Sequence, residues 1–259
     1  MWLPGAALLN NILALQQPIK HFMISIIIPA HNERQNLSKL LPSLLANTSK
    51  VDVEIIVVLS CDSEDDAENL ISESSNINFI KCERKGRAVQ MNTGASLASG
   101  SILVFLHADV KPPESFLEDI EFTLKDYYEA GFFSYRFDKR SFWLDINASF
   151  TAKDGIFTGG GDQCLFIKKD TFNALGGFDE NQVLMEDFEF FKRMKKNKIR
   201  YKIINNDLIV SARKYESNSY LRVNLSNLLL VVLFKLGFSS EKLKSIHNKL
   251  LKMPYQHNA

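Results

Sequence analysis

Uninterrupted apolar runs alternate with amphipathic stretches over the first ~110 residues of the chain. The runs "ISIIIPA" (24–30), "VEIIVVLS" (53–60), "NINFIKCE" (76–83) and "SILVFLHAD" (101–109) are short and rich in β-branched residues. The first, second and fourth runs predict buried strands, and the third predicts a further strand. Between them, "NERQNLSKLLPSLLANT" sets Leu37, Leu40, Leu41, Leu44 and Leu45 at helical spacing, with Pro42 inside the pattern as a source of a kink. Asn32 is its N-cap candidate. "SEDDAENLISES" (63–74) reads as a helix with an acidic first turn, and "GRAVQMNTGASLASG" (86–100) as a helix closed by Gly100. The alternation predicts an α/β fold with a mainly parallel, Rossmann-like sheet flanked by helices. Ligands of such sheets bind beyond the carboxyl ends of the strands. Those ends are Pro29–Glu33, Ser60–Asp62, Cys82–Arg87 and His107–Asp109.

The second half is more mixed. "ESFLEDIEFTLKDYY" (114–128) and "MEDFEFFKRMKKNK" (185–198) carry helical patterns. "AGFFSYRFD" (130–138) alternates like an exposed strand, a further strand is expected near Cys164–Ile167, and "YKIINNDLIVSAR" (201–213) is strand-like. The stretch from Val223 to Met253 is apolar and then basic, which predicts a helical tail. The expected division is an N-terminal extension (1–22), a main domain (23–213) and a C-terminal helical tail (214–259). The extension lacks a basic n-region and an unbroken apolar run, so it reads as neither signal peptide nor membrane span.

Composition narrows the function classes. The 259 residues are 46% apolar and 24% charged, with a formal net charge of +1, so no global field points to nucleic acid. Three cysteines without a CxxC pair argue against a structural zinc site or a disulfide framework and fit a reducing cytoplasm. In the tail, "LLLVVLF" (228–234) is too short to span a bilayer. Lysines at 235, 242, 244, 249 and 252 suit peripheral contact with the inner membrane face; a core-packing helix with a soluble end is the alternative.

Chemistry concentrates at the strand ends. Asp109 closes a buried strand, either as a turn aspartate or as a ligand that holds a divalent metal on a diphosphate. Arg84, Lys85 and Arg87 make a cationic turn suited to phosphate, or simply a solvated one. Glu186 and Asp187 open a helix, where acids are favourable whatever else they do. "TGGGDQ" (158–163) lacks the spacing of a P-loop, and no GxGxxG follows any predicted strand, which argues against a hydride-transferring Rossmann enzyme.

Five segments in order, "SIIIPAHNE", "EIIVV", "GRAVQMNTGASLASGSILVFLHAD", "GGGDQCLFIKKDTFNALGGFDE" and "MEDFEFFKRMKK", resemble the family-2 glycosyltransferases of the GT-A fold. The pairing of "GRAVQMNTGA" with "FLHAD" is most similar to a subgroup of small stand-alone bacterial enzymes, some linked to arsenosugar biosynthesis. The resemblance implies a GT-A sheet with a small mixed acceptor-side portion. It also implies inverting, non-processive transfer of a sugar from a nucleoside-diphosphate donor to an acceptor hydroxyl. Asp109 matches the last acid of the family's DxD motif and implies Mg²⁺ or Mn²⁺; His107 stands where the first acid is expected. Asp187 matches the general base, with Glu186 an orienting or acceptor-side partner. Pro29, Ala30, His31 and Glu33 match the loop that meets the nucleoside, Arg87 lies toward the phosphates, and Gly161, Asp162 and Gln163 match an acceptor-side loop. "VVLSCDSEDD" departs from the pattern: the aspartate expected after the second strand, which binds the base in the family, is displaced to Asp62. A non-catalytic nucleotide-sugar-binding protein and a sugar-phosphate nucleotidyltransferase are the competing classes. The latter is disfavoured because "PAHNERQN" carries no glycine after the first strand.

Overall fold

The four apolar runs form strands β1 (Ile24–Ala30), β2 (Val53–Leu59), β3 (Ile77–Lys81) and β4 (Ile102–Phe105). They belong to a computed structural model that describes residues 22–46, 51–70, 76–125 and 127–251. β1 pairs in parallel with β2 and β4, and β2 in parallel with β3. β1 is buried at every position, with Ile26 and Ile28 in the core on one face of the sheet and Ile27 in the core on the other. An unbroken apolar run is what a strand covered on both faces requires.

Helices α1 (Arg34–Ala46) and α2 (Arg87–Leu97) supply those covers. Leu37, Leu40, Leu41 and Leu44 of α1 enter one core, and the helix continues through Pro42. α2 rides so close to β1 that a Cβ at Gly94 would lie 2.5 Å from Ile27 Cγ2. The chain then runs through β5 (Val110–Lys111), α3 (Phe116–Leu124), β6 (Ala130–Phe137) and α4 (Phe142–Ser149). After a 3₁₀ turn at Gly161–Gln163 come β7 (Leu165–Lys168), α5 (Lys169–Ala174), α6 (Glu186–Lys196) and β8 (Tyr201–Val210). Three helices follow: α7 (Arg213–Glu216), α8 (Tyr220–Lys235) and α9 (Ser240–Leu250).

Among the described residues the strands form one eight-stranded sheet in the order β3-β2-β1-β4-β7-β6-β8-β5. β7 runs antiparallel to both β4 and β6, whereas β8 runs parallel to β6. The carboxyl ends of β1–β4, β6 and β8 and the start of β7 therefore share one edge, and every candidate residue lies near it. This is the expected α/β, mostly parallel sheet flanked by helices.

Three local expectations are corrected. β6 is not an exposed strand: it lies between β7 and β8, and its first five residues are buried. Among its described residues, 63–70, the acidic stretch forms only a 3₁₀ turn at Ala67–Leu70. Ser63 Oγ accepts from Asn32 N–H at 3.0 Å and Asp65 Oδ2 from Arg34 N–H at 2.5 Å, so this segment braces the β1 loop instead of starting a helix. Asn32 does not cap α1; its Oδ1 accepts from Glu64 N–H at 2.9 Å. Residues 71–75, residues 1–21 of the expected extension and residues 252–259 of the tail lie outside the described residues.

Candidate functional site

Arg87 is the hub. It opens α2 directly after Gly86, whose φ of 133° is in a region that side-chain-bearing residues rarely adopt. Its Nε donates to Glu186 Oε1, its Nη2 to Asp187 Oδ2 at 3.2 Å, and its Nη1 lies 3.5 Å from His107 Nε2. One planar fork thereby gathers the first turn of α6 and the end of β4. Met185 precedes that turn in a left-handed conformation, φ 66°. A bulky residue there is strained, and such strain concentrates at sites whose geometry the fold must hold.

Asp187 is almost enclosed, its side chain 12% exposed. Burial pushes its carboxyl up to about 6; Arg87 opposes the rise and Glu186 adds to it. Behind it, Gly161 leaves no room for a side chain: a Cβ would sit 2.5 Å from His107 Cε1 and 2.7 Å from Asp187 Oδ2. His107 Nδ1 lies 3.6 Å from Asp162 Oδ1. A proton on Nδ1 and a lone pair on Nε2 toward Arg87 satisfy both neighbours. Burial disfavours the imidazolium, but Asp162 outweighs it and holds His107 above its ordinary range. Crowding within the cleft opposes ionisation of Asp162, whose side chain still reaches solvent; His107, Lys214 and Arg87 keep it below the usual carboxylate range.

A second group lies beside the first. Asp109 Oδ2 accepts from Arg213 Nη2 at 2.9 Å. Burial raises the carboxyl of Glu33, Asn36 opposes the rise by hydrogen bonding, and Asp109 adds to it. His107 and Asp109, two residues apart, thus face different partners. A third group lies at the rim, where Asp62 meets Lys85 Nζ at 2.8 Å and His31 Nδ1 at 3.4 Å. Lys85 and then Ser60 hold the Asp62 carboxyl well below its usual range.

The remaining candidates shape backbone. Pro29 and Ala30 end β1, and Ala30 O accepts from Gln90 Nε2 at 2.8 Å; the same amide reaches Val58 O at 2.7 Å, pinning β1 to β2. Gln163 is buried, its Oε1 accepting from Gly159 N–H at 2.9 Å and its Nε2 donating to Thr151 O at 3.0 Å, so this amide sets the course of the Gly159–Gly161 loop. Asn92 holds Phe178 N–H and C=O, both at 2.9 Å.

Sequence reasoning did not single out Gln90, Arg213 or Lys214. Lys214 lies close enough to Asp162 and Arg87 for their charges to affect it, and its Nζ donates to Asn227 Oδ1 at 3.3 Å. Burial lowers its ammonium below the usual range, Asp162 opposing. The available signal was "SARK" directly after a strand, because β8 ends on the same edge as β1–β4.

The donor set bears on a metal ion. Among the described residues no three His, Cys, Asp or Glu side chains converge on one point. One carboxylate, Asp109, with Glu33 nearby, fits a cation that arrives on a diphosphate and takes most of its ligands from phosphate and water. It does not fit a cation held by the protein alone.

Comparison with known proteins is consistent in kind. The family model described as Glycosyl transferase family 2 matches residues 25–173. Glycosyltransferase AglE of Haloferax volcanii is 25% identical over 191 residues, 66% of this chain and 60% of that protein. Undecaprenyl-phosphate 4-deoxy-4-formamido-L-arabinose transferase of Sodalis glossinidius is 29% identical over 140 residues, 51% of this chain and 42% of that protein. The chain thus matches less than two thirds of either relative. Among solved structures, mannosyltransferase PcManGT of Pyrobaculum calidifontis, in complex with GDP-Man and Mn²⁺, superposes with a TM-score of 0.61 at 19% identity, over 94% of this chain and 76% of that one. S. aureus TarS 1–349 in complex with UDP-GlcNAc gives 0.58 at 14% identity, over 88% and 71%. At these identities the likeness is one of fold, the GT-A arrangement.

Proposed function

The chain belongs to glycosyl transferase family 2, and from that premise we propose that it moves a sugar from a nucleoside-diphosphate donor to an acceptor hydroxyl, with inversion, one transfer per encounter. The observation that carries this reading is Asp187: a carboxylate enclosed beside Arg87, at the ligand-binding edge of the sheet, with its pKa pushed up to about 6. A base poised just below neutrality is ionised at neutral pH and still basic enough to accept a proton.

The acceptor hydroxyl gives its proton to an Asp187 oxygen as its own oxygen attacks the anomeric carbon. The bond from that carbon to the diphosphate breaks on the opposite face, and the nucleoside diphosphate leaves with the electron pair. Arg87 keeps Asp187 aimed and ionised, and Glu186 fixes the guanidinium. His107 and Asp162 line the same cleft, Asp162 on the acceptor side with Gly161 and Gln163. Asp109 would hold Mg²⁺ or Mn²⁺ through a carboxylate oxygen, and that cation would neutralise charge on the leaving diphosphate. His31, Glu33 and Asp62 are assigned to the nucleoside end, and the transferred group is a hexose. The motifs "GRAVQMNTGA" and "FLHAD" support placement in the small bacterial subgroup. Enclosing a carboxylate with a raised pKa costs stability, which favours a catalytic protein over a purely binding one.

Replacing Asp187 by asparagine tests the proposal. Transfer to a glycan acceptor should vanish while calorimetric binding of the donor persists. Wild-type turnover in that variant overturns the assignment.

A further inference from the structure

α8 is apolar around most of its circumference, and a helix of that kind is normally buried. Here one side is not. Leu221, Leu225, Leu228, Leu229, Val232 and Leu236 are each at least 40% exposed, and Leu221 and Leu236 reach 69%. Their spacing places all six on one face, opposite the buried Val223, Ser226 and Leu230. Phe142 and Trp143, 72% and 56% exposed, stand beside the start of α8, where the Trp143 ring lies 5.7 Å from Tyr220. Contiguous apolar faces of this kind mark interaction sites.

Charge selects the partner. α8 contains no acidic residue, and the exposed cations Arg222 and Lys235 flank the apolar face on either side. A second copy docked through this face would bring those cations toward one another with no carboxylate of α8 to meet them. An anionic lipid surface meets both features at once, apolar side chains entering the acyl boundary and cations resting among the headgroups. At 16 residues the helix is about 24 Å long, suited to lying in that plane, and no helix among the described residues is long and apolar enough to cross a membrane. We propose that the exposed face of α8, together with Phe142 and Trp143, docks on the surface of an anionic bilayer.

This goes beyond the transfer reaction and does not depend on it, but the placement bears on the site. Phe234 of α8 lies 6.5 Å from Phe188, the residue after Asp187, and Asn227 accepts from Lys214 in the cleft. The cleft then lies on the side of α8 facing away from the bilayer, about one helix diameter above it.

The test is flotation of the full chain with vesicles of phosphatidylcholine alone or mixed with phosphatidylglycerol. Wild type should float with the anionic vesicles and less so at high salt. Combined Leu225→Gln, Leu229→Gln and Leu236→Gln should weaken flotation by about tenfold or more. Arg222→Glu with Lys235→Glu, which leaves the apolar face intact, should abolish the preference for anionic lipid; circular dichroism checks that both variants fold. With Trp2 replaced by phenylalanine, Trp143 is the only tryptophan, and its fluorescence should be quenched by lipids brominated in the acyl chain. Absence of wild-type flotation overturns the proposal, as does undiminished flotation of the triple-Gln variant, which would place the anchor elsewhere in the chain. Light scattering that shows a dimer lost in the triple-Gln variant, without flotation, assigns the face to a second copy instead.

Discussion

Asp187 ties activity to stability in opposite senses, and a pH series separates the two. Its carboxyl sits at about 6 in the folded chain against an ordinary 3.8. Between those values the folded state binds more protons than the unfolded one, so stability rises as pH falls toward about 4. A shift of about two units at ~1.4 kcal/mol each makes the ionised Asp187 cost on the order of 3 kcal/mol above pH 6. His107, held above its ordinary range, works in the same direction: its contribution is present below about pH 6.5 and is lost as pH rises through the folded value. Transfer, by contrast, needs Asp187 ionised, and kcat/KM should fall about tenfold per unit below about pH 6. Asp187→Asn mimics the neutral carboxyl. At about pH 8 it should raise stability by up to roughly 3 kcal/mol, a Tm gain of roughly 6–12 °C for a chain of this size, while abolishing transfer. The assays are initial rates and thermal melts from about pH 8 to pH 5, on wild type and variant. A stability advantage of the variant over wild type that does not grow from about pH 5 to pH 8, or a variant no more stable than wild type at about pH 8, would refute the reasoning.

Asp109→Ala should remove the enhancement of nucleotide binding by Mn²⁺, read by calorimetry with UDP, GDP, CDP and ADP; the partly exposed pair with Arg213 limits the stability cost to about 1 kcal/mol. Gly161→Ala should cut turnover by about tenfold to a hundredfold with donor binding kept, because the added methyl displaces His107 or Asp187; an unchanged kcat would show that the loop yields freely. Gln90→Ala withdraws a buried donor from Ala30 O and Val58 O and should cost about 1–3 kcal/mol in urea unfolding with little direct effect on donor affinity.

The half of the sheet formed by β1–β4 was legible because each strand's environment is written locally. A strand covered on both faces must be apolar throughout, and "ISIIIPA" and "SILVFLHAD" show it without reference to any partner. The same runs marked the carboxyl edge of the sheet, where Arg87, His107 and Asp109 lie, whereas Asp187, in a helix, is named only by the family resemblance. β6 was misjudged because its neighbours β7 and β8 are set by sheet order, which no local pattern carries; Ser134 looks like a solvent-facing position but is buried, its Oγ donating to Asp207 at 2.5 Å. The acidic stretch after Ser63 has helical composition, yet its side chains are taken by backbone groups of the loop after β1.

By itself, then, the sequence determined the parallel half of the sheet, its carboxyl edge and the chemical types available there. Tertiary structure alone decided which groups meet. Arg87 is joined to Glu186 across 99 positions and Asp109 to Arg213 across 104, while His107 and Asp109, two residues apart, face different partners. Charge pairing of this kind depends on distances of a few ångströms in space. Chain separation says nothing about such distances until the sheet has brought the strand ends to one edge.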